Sequence, residues 1–224
     1  MFIQLGTPER LSSIGQETID LKEAKSKIEI AVLDDKPFAQ KDSLVSHGFR
    51  IRELGPDIRS TDMISSYPIV ICDVRGVGKA FGSSLEGAHL VSEIRKDYPD
   101  KYIVSYTGET YSLPLTNALA AADKRLAKDD SIDVWIKTLE SGLNEVSNPR
   151  NRWIRLRTAL LSRGVELHHV FNLEQALIKA VHAGKPEMLN DKATSAEISA
   201  EARDLVIKFS ATALATLIGS ALGI

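Results

Sequence analysis

Acidic side chains stand where two apolar, strand-like runs of this sequence end. Asp34 and Asp35 follow the run at 28–33. Asp73 follows the run at 69–72. Because the carboxyl ends of parallel strands meet at one edge of a sheet, where ligands bind in such folds, we expect these three carboxylates to meet. Such a cluster is repulsive unless a cation binds it or one carboxyl group is protonated.

The ligand type predicts the chemistry of this cluster. Carboxylate oxygens are hard ligands that suit Mg²⁺, an ion that also accepts a phosphoryl oxygen. A carboxylate can itself be the nucleophile that accepts a phosphoryl group. Thr107 follows the next strand and Lys128 the last one, so a hydroxyl and an amine are available for the phosphoryl oxygens. Each residue has an ordinary explanation as a turn, a helix cap or a solvated charge, but all of them fall at strand ends.

The glycine-rich loop after Asp73 is the competing candidate. A phosphate-binding P-loop needs a first glycine where Asp73 stands and a hydroxyl where Ala80 stands, so two of its requirements fail. The glycines at 76–82 are spaced one residue too widely for a dinucleotide-binding motif. The sequence therefore favours a flexible loop over a site, with the chemistry in the aspartates.

Strand-like runs alternate with helix-like segments from about residue 27 to residue 146. The runs lie at 28–33, 49–54, 69–72, 102–106 and 125–127. The helical segments lie at 37–48, 58–67, 84–99, 116–123 and 131–146. Because each parallel connection needs a covering crossover, this order predicts an α/β fold, a five-stranded parallel doubly wound (βα)₅ sheet, followed by an α-helical C-terminal extension.

The domain organisation follows from where this alternation stops. We expect an N-terminal extension at 1–26, the α/β domain at 27–146, a helical region at 147–190 and a C-terminal apolar helix at 191–224. The net charge of −2 argues against a whole-protein commitment to nucleic acid. The single cysteine, Cys72, lies in an apolar strand and is expected to be buried and inert. With no signal-peptide pattern, a cytoplasmic location is expected.

These residues resemble the receiver domain of bacterial response regulators over about residues 27–146. The matching residues are Asp34, Asp35, Asp73, Thr107 and Lys128. The resemblance implies a flavodoxin-like fold whose Asp73 takes a phosphoryl group from a histidine kinase or phosphotransfer protein. It also implies that Asp35, Asp73 and the carbonyl of Arg75 bind Mg²⁺ directly and Asp34 through water. Thr107 and Lys128 would be the switch residues, and no enzymatic turnover beyond self-dephosphorylation is expected.

The sequence departs from the receiver pattern at several positions. Gly87 comes fourteen residues after Asp73 instead of about eight, which marks 76–84 as an insertion. Arg125 replaces the usual aromatic residue and Asp129 the usual proline. A receiver-like module that no longer switches is therefore one alternative. A Mg²⁺-dependent phosphatase with an aspartyl nucleophile is a weaker one, because Arg75 stands where its acid/base aspartate belongs.

Helical patterns dominate beyond residue 147, beginning at Asn148 and Pro149. The first helix is expected to bury an apolar side and to expose three arginines. The apolar residues are Trp153, Leu156, Leu160 and Leu161, and the arginines are Arg152, Arg155 and Arg163. About ten residues, 162–171, are expected to separate it from the next helix, with His168 and His169 in a loop. This gap argues against a helix-turn-helix motif, and no specific DNA binding is predicted.

The last helix is expected to begin at Thr194 or Ser195, with Glu197 completing a capping box. Residues 205–224 are apolar apart from Lys208, and small residues such as Gly219 and Gly223 recur along them. Such a helix suits a homodimer or another helix partner through 195–224. Its length also permits membrane association as an alternative.

Overall fold

Five strands lie side by side in one parallel sheet within the residues that the structure describes. The structure is a computed structural model that describes residues 7–15, 20–108 and 113–214. The strands are β1 (Glu29–Leu33), β2 (Arg50–Glu53), β3 (Ile69–Asp73), β4 (Tyr102–Thr107) and β5 (Lys124–Ala127). Their spatial order is β2-β1-β3-β4-β5. This order is that of flavodoxin-like doubly wound sheets, so the predicted fold class is confirmed.

Burial along the strands follows their position in the sheet. Every residue of β3 and β4 is buried, as expected for strands covered on both faces. The edge strand β2 alternates between exposed and half-buried residues, and β5 buries only Leu126. The central strands therefore carry the core, and their carboxyl ends are held firmly in place.

Helices cover both faces of the sheet. They are α1 (Leu21–Lys27), α2 (Lys41–Ser46), α3 (Gly87–Asp97), α4 (Leu113–Ala118) and α5 (Ile132–Val146). Side chains of α1, α2 and α5 pack on one face, around Val32, Ile71 and Val104. Side chains of α3 and α4 pack on the other, around Ala31, Val70 and Ile103. The predicted helix at 58–67 is wrong in type, because its helical part is a single 3₁₀ turn, Thr61–Ile64. The Ser60 side chain caps this turn by accepting from the Asp62 amide.

The chain divides into two compact units. One is Ile19–Ser147, and the other combines Met1–Thr18 with Asn148–Ile224. Residues 1–26, predicted as an extension, are thus shared between the units. Helix α1 belongs to the sheet unit, where Ala24 enters the core and Lys25 pairs with Glu140 at 2.8 Å.

The second unit is helical, as predicted. Its helices are α6 (Pro149–Ser162), α7 (Leu167–Ala183), α8 (Glu187–Ser195) and α9 (Ala200–Phe209), followed by a π-helical turn at Ser210–Leu214. Asn148 caps α6 by accepting from the amides of Arg150 and Asn151. Trp153, Leu156 and Leu160 are buried in its core, whereas Leu161 is exposed, contrary to prediction.

The predicted gap between the first two of these helices is wrong. Only Arg163–Glu166 separate α6 from α7, because Gly164, with a φ of 78°, turns the chain at once. His168 and His169 consequently lie in the first turn of α7 and not in a loop. A four-residue gap is compatible with a helix-turn-helix, so the predicted reason for excluding that motif does not hold.

The arginines in and directly after α6 do not form the solvated basic face expected of them. Arg152 is 1% exposed, and its guanidinium donates to the Thr212 hydroxyl at 3.0 Å. Arg163 pairs with Glu201 at 3.2 Å, and the neighbouring Arg157 pairs with Glu174 at 3.1 Å. Most of this positive charge is therefore used within the helical unit.

The start predicted for the last helix is also wrong. Thr194 and Ser195 end α8, where their hydroxyls donate back to the carbonyls of Asn190 and Lys192. Ser199 caps α9 instead, accepting from the Ala202 amide at 3.1 Å. No helix of the described residues is both long and apolar enough to cross a bilayer. The small-residue row at Gly219 and Gly223 lies outside the described residues.

Candidate functional site

The carboxyl edge of the sheet gathers the predicted acidic residues. One carboxylate oxygen from each of Asp34, Asp35 and Asp73 lies within 4.8 Å of the others. The convergence follows from the parallel register, which pairs Leu33 with Cys72 and so sets the ends of β1 and β3 side by side. Asp34 and Asp73 are 7% and 2% exposed, so two of the three charges lie in a poorly hydrated place.

Asp73 is held by an ion pair with Lys128. The Lys128 Nζ donates to Asp73 Oδ2 at 2.6 Å, and the Arg75 amide reaches Oδ1 at 3.4 Å. Burial raises the pKa of Asp73, although the Lys128 hydrogen bond opposes that shift. Burial alone would lower the pKa of Lys128, but the hydrogen bond and charge of Asp73, with Asp34 and Asp35, raise it. The amine is therefore a firmly protonated donor on the candidate nucleophile.

Asp34 is held at both of its carboxylate oxygens. Oδ1 accepts from the Lys36 amide at 2.9 Å, and Oδ2 accepts a short hydrogen bond from the Tyr106 hydroxyl. Each oxygen of a carboxylate has two lone pairs, so both can still accept from a metal-bound water. Tyr106 was not predicted as a site residue. Its signal in the sequence is a phenol in a fully buried strand, where the hydroxyl needs a partner.

Asp35 is exposed, in contrast to its two neighbours. Its carboxylate packs against Gly76, where an added Cβ would lie 2.4 Å from the Asp35 Cγ. Gly76 has a φ of 80°, and both its conformation and the Asp35 contact require glycine here. The glycine loop thus shapes the acidic site through its contact with Asp35.

The loop between β3 and α3 is partly packed against the sheet unit, and its flexibility stays a prediction. Val77 is fully buried, and the Gly76 amide donates to Glu86 Oε2 at 2.8 Å. Gly87 begins α3 so close to β3 that a Cβ would lie 1.9 Å from the Asp73 carbonyl oxygen. The start of α3 is therefore fixed beside Asp73, and the Gly76 amide is tied to the residue just before that helix.

The other predicted residues lie near this edge. Thr107 ends β4 with its side chain buried, one residue beyond the Tyr106 that pairs with Asp73. The Lys128 amide donates to the Thr107 carbonyl at 3.0 Å. The Arg75 side chain donates to the Ser84 carbonyl at 3.3 Å, and binding of a metal by the Arg75 carbonyl stays a prediction. Arg125 and Asp129, the departures from the receiver pattern, are exposed.

Cys72 stands next to Asp73 but takes no part in the acidic cluster. Its side chain is fully buried, and its thiol donates to the Asp73 carbonyl at 3.3 Å. Burial, with the nearby charges of Asp73 and Asp34, raises the pKa of this thiol well above its usual range. It stays a protonated thiol, as predicted for an inert cysteine.

The donor set fits a hard divalent cation. All three candidate side-chain ligands are carboxylates, and their convergence within 4.8 Å is the spacing that one small ion would need. Soft or imidazole ligands are not part of the cluster, since no histidine or cysteine thiol is among its members. The described residues of this edge are thus compatible with Mg²⁺, in an arrangement whose negative charge needs neutralising.

Solved structures with a similar fold are response-regulator receiver domains. A CheY-like receiver domain protein from Methanospirillum hungatei is 19% identical over 54% of this chain and 96% of its own, with a TM-score of 0.42. The receiver domain of an HD domain-containing protein from Pseudomonas fluorescens is 16% identical over 57% of this chain and 90% of its own, with a TM-score of 0.44.

A third similar structure is a response regulator from Burkholderia pseudomallei that contains a phosphorylated aspartic acid, a calcium ion and citrate. It is 18% identical over 69% of this chain and 92% of its own, with a TM-score of 0.41. No protein-family model and no curated protein matches the sequence.

Proposed function

We propose that this chain is a response regulator whose Asp73 accepts a phosphoryl group in two-component or phosphorelay signalling. The observation that carries the proposal is the 2.6 Å contact between Lys128 and Asp73 inside a cluster of three carboxylates. An amine fixed on the acceptor carboxylate puts positive charge where the phosphoryl oxygens arrive, and such preorganised charge is a large contribution to catalysis.

Asp73 is the nucleophile of the proposed transfer. One of its carboxylate oxygens attacks the phosphorus of a phosphohistidine on a histidine kinase or phosphotransfer protein, and a P–O bond forms. The P–N bond breaks, its electron pair remains on the imidazole nitrogen, and that nitrogen takes up a proton from water. The product is an acyl phosphate on Asp73, and the step balances with one proton drawn from the solvent by the leaving imidazole.

Mg²⁺ is the cofactor proposed for this site. Asp35, Asp73 and the Arg75 carbonyl would hold it directly, and Asp34 would hold it through water. When bound, the ion neutralises the carboxylates and the charge on the phosphoryl oxygens. Asp34 and Asp73 are fixed by hydrogen bonds of their own, so little reorganisation is needed when the donor arrives.

Thr107 and Lys128 are the proposed switch residues. After transfer, the Lys128 amine binds one phosphoryl oxygen and the Thr107 hydroxyl donates to another. The hydrogen bond from the Lys128 amide to the Thr107 carbonyl joins the two strand ends that respond. A movement of either residue would therefore shift the ends of both β4 and β5. In this way a local change at the site can alter a larger surface of the sheet unit.

The proposed output lies in the helical unit, with no enzymatic turnover beyond self-dephosphorylation. A homodimer or another helix partner through 195–224, or contact with a membrane, would carry the signal. A receiver-like module that no longer switches is the second candidate. It is favoured by Arg125, an exposed residue of β5 that replaces the aromatic residue of the receiver pattern.

The decisive experiment is to incubate the full chain with MgCl₂ and acetyl phosphate and to record its intact mass. We expect one added phosphoryl group on the wild-type chain and none on Asp73→Asn. Asp129→Asn, which removes an exposed carboxylate beside Lys128, is the matched control and should be phosphorylated like the wild type.

An Asp73→Asn variant that still gains the phosphoryl group would contradict the proposal. So would a wild-type chain that gains none with either acetyl phosphate or a phosphorylated histidine donor. Phosphorylation that leaves the amide spectrum unchanged beyond the site itself would select the module that no longer switches.

A further inference from the structure

Tyr106 joins the acidic edge to the aromatic core beneath it. Tyr106 is 3% exposed, and its hydroxyl donates to Asp34 Oδ2. The centroid of its ring lies 5.5 Å from that of the Trp135 ring and 5.6 Å from that of the Phe38 ring. Both contacts are edge-to-face, a favourable arrangement for aromatic pairs. The hydroxyl is therefore delivered to Asp34 by a ring with little freedom to move.

The contact spans two strands that are not neighbours. Asp34 follows β1 and Tyr106 lies in β4, with β3 between them. Tyr106 and Asp73 are paired in register, so the phenol reaches across the end of β3 to the far side of the cluster. The Lys128 Nζ also lies 5.3 Å from the centroid of the Tyr106 ring. Tyr106 thus donates a hydrogen bond to Asp34, and its ring lies beneath the amine of Lys128, the ion-pair partner of Asp73.

We propose that Tyr106 is a positioning residue that sets the Asp34 carboxylate for cation binding. The Lys36 amide holds Oδ1, and the Tyr106 hydroxyl holds Oδ2. With both oxygens fixed, Asp34 presents its remaining lone pairs in one direction and loses no rotamer freedom when a cation arrives. This inference rests on the proposed function, because it concerns the same cation site.

A hydrogen bond of this kind is expected to affect affinity measurably. Groups that orient metal-binding side chains commonly change metal affinity 10–100-fold when they are removed. Tyr106→Phe keeps the ring contacts with Phe38 and Trp135 and removes only the hydroxyl. We expect it to raise the dissociation constant for Mg²⁺ by about tenfold.

The molecule provides a reporter and a reference for this measurement. The Trp135 indole N–H has no hydrogen-bond partner among the described residues, whereas the Trp153 indole donates to Glu174 at 2.7 Å. The two indole resonances should therefore be separate in an amide spectrum of the full chain. Trp135 and the Lys36 amide report on the site, and Trp153 reports on the helical unit.

Tyr98 provides the matched control. It is 1% exposed, and its hydroxyl donates to Asp62 at 2.9 Å, so Tyr98→Phe also removes a hydrogen bond from a buried tyrosine to an aspartate, here a part-buried one. Tyr98 precedes β4, at the opposite edge of the sheet from the acidic cluster. A purely structural role for buried tyrosine hydroxyls predicts that both variants lower stability and that neither changes Mg²⁺ affinity.

The experiment is a MgCl₂ titration of the wild type, Tyr106→Phe, Tyr98→Phe, Asp34→Asn and the Tyr106→Phe/Asp34→Asn double variant. We expect the dissociation constant of Tyr106→Phe to rise about tenfold, that of Tyr98→Phe to stay within twofold, and the double variant to match Asp34→Asn. Non-additivity of this kind shows that Tyr106 acts through Asp34.

An unchanged affinity of Tyr106→Phe overturns the inference, and so does a double variant whose loss is the product of the two single losses. A wild type that binds no Mg²⁺ overturns both the inference and the proposed cation site. A wild type that binds Mg²⁺ but is not phosphorylated overturns the proposed function, while the titration still decides the role of Tyr106.

Discussion

Charged residues are arranged differently at the edge of the sheet where the strands begin and at the edge where they end. At the edge where the strands begin, Lys101 is fully buried and donates to the carbonyls of Ser65 and Tyr67, both at 2.7 Å. Arg95 pairs there with Asp123 at 2.6 Å, and the same Asp123 oxygen accepts from the Ile103 amide at 2.7 Å. Each of these charged groups has hydrogen-bond partners, which are carbonyl oxygens for Lys101 and a carboxylate for Arg95.

At the edge where the strands end, three carboxylates converge with Lys128 as the amine that contacts Asp73. Hydrogen-bonded charges hold the strand starts together, whereas an excess of like charge at the strand ends works against folding. A fold keeps such an excess where a ligand uses it, so the first edge is expected to stabilise the protein and the second to bind. Substitutions at the two edges can break or sharpen this contrast.

The largest effect is expected for Lys101→Met. Its removal deletes a fully buried amine and leaves two part-buried carbonyls without that donor, so the free energy of unfolding should fall by about 3 kcal/mol. Urea unfolding followed by the Trp135 indole resonance measures this for the sheet unit. Lys128→Met is the matched control, and because the Lys128 side chain is 40% exposed, its cost should be at most about 1 kcal/mol. Equal losses in the two variants would erase the contrast.

Asp123→Asn should have the next largest effect. It turns a charge-assisted bond from Arg95 into a weaker one, and we expect a loss of about 2 kcal/mol in the same unfolding experiment. Asp130→Asn is the comparison at the other edge. Asp130 accepts from the Ala127 amide at 2.7 Å, a bond that asparagine can also accept, so that variant should change stability by less than about 0.5 kcal/mol.

Asp73→Asn is expected to raise stability and to remove a pH dependence. Burial raises the pKa of Asp73, so the folded state holds its proton more tightly than the unfolded chain does. Stability should therefore fall as the pH rises from the ordinary aspartate pKa to the raised one, and level off above it. In chelator at pH 7, the variant should be more stable than the wild type.

Unfolding of both chains across pH values checks this sign. The difference between them should vanish once the pH lies below the unfolded pKa, because both side chains are then neutral. A variant that is less stable than the wild type at pH 7 would mean that the Lys128 pair outweighs the burial of the carboxylate.

The smallest effect is expected for Asp35→Asn. Asp35 is exposed, so its repulsion with Asp34 and Asp73 is weak, and the gain in stability without divalent cations should be about 0.5 kcal/mol. Raising the salt concentration should reduce that gain. Adding MgCl₂ should reverse the sign, because the wild type then binds the ion more tightly than the variant. Thermal unfolding at two salt concentrations, with and without MgCl₂, measures all three changes.

The acidic cluster could be predicted from the sequence because it depends on local signals. Asp34 and Asp73 each end an apolar run, and parallel strands bring such ends together whatever the details of packing. The contact of Tyr106 with Asp34 could not be predicted in this way. It joins strands that are separated by a third one, and its geometry depends on how Phe38 and Trp135 fill the space below.

The helical unit shows a different limit. The polar residues between α6 and α7 resemble a long loop, but one glycine is enough to turn the chain, and both histidines enter the next helix. Thr194 has the sequence of a helix cap, yet its hydroxyl donates to the Asn190 carbonyl within α8. Hydroxyl groups have several backbone partners within reach, and tertiary packing decides which of them is used.

Gly87 has a consequence for how this protein can change over evolutionary time. Its Cα lies against the carbonyl of Asp73, so the first turn of α3 and the end of β3 form one fixed junction. Residues gained or lost in the mostly exposed part of the loop, 79–84, would lengthen or shorten it without moving this junction. The length of this exposed stretch can therefore vary without a change at Gly87, whereas a residue larger than glycine at position 87 would collide with the Asp73 carbonyl.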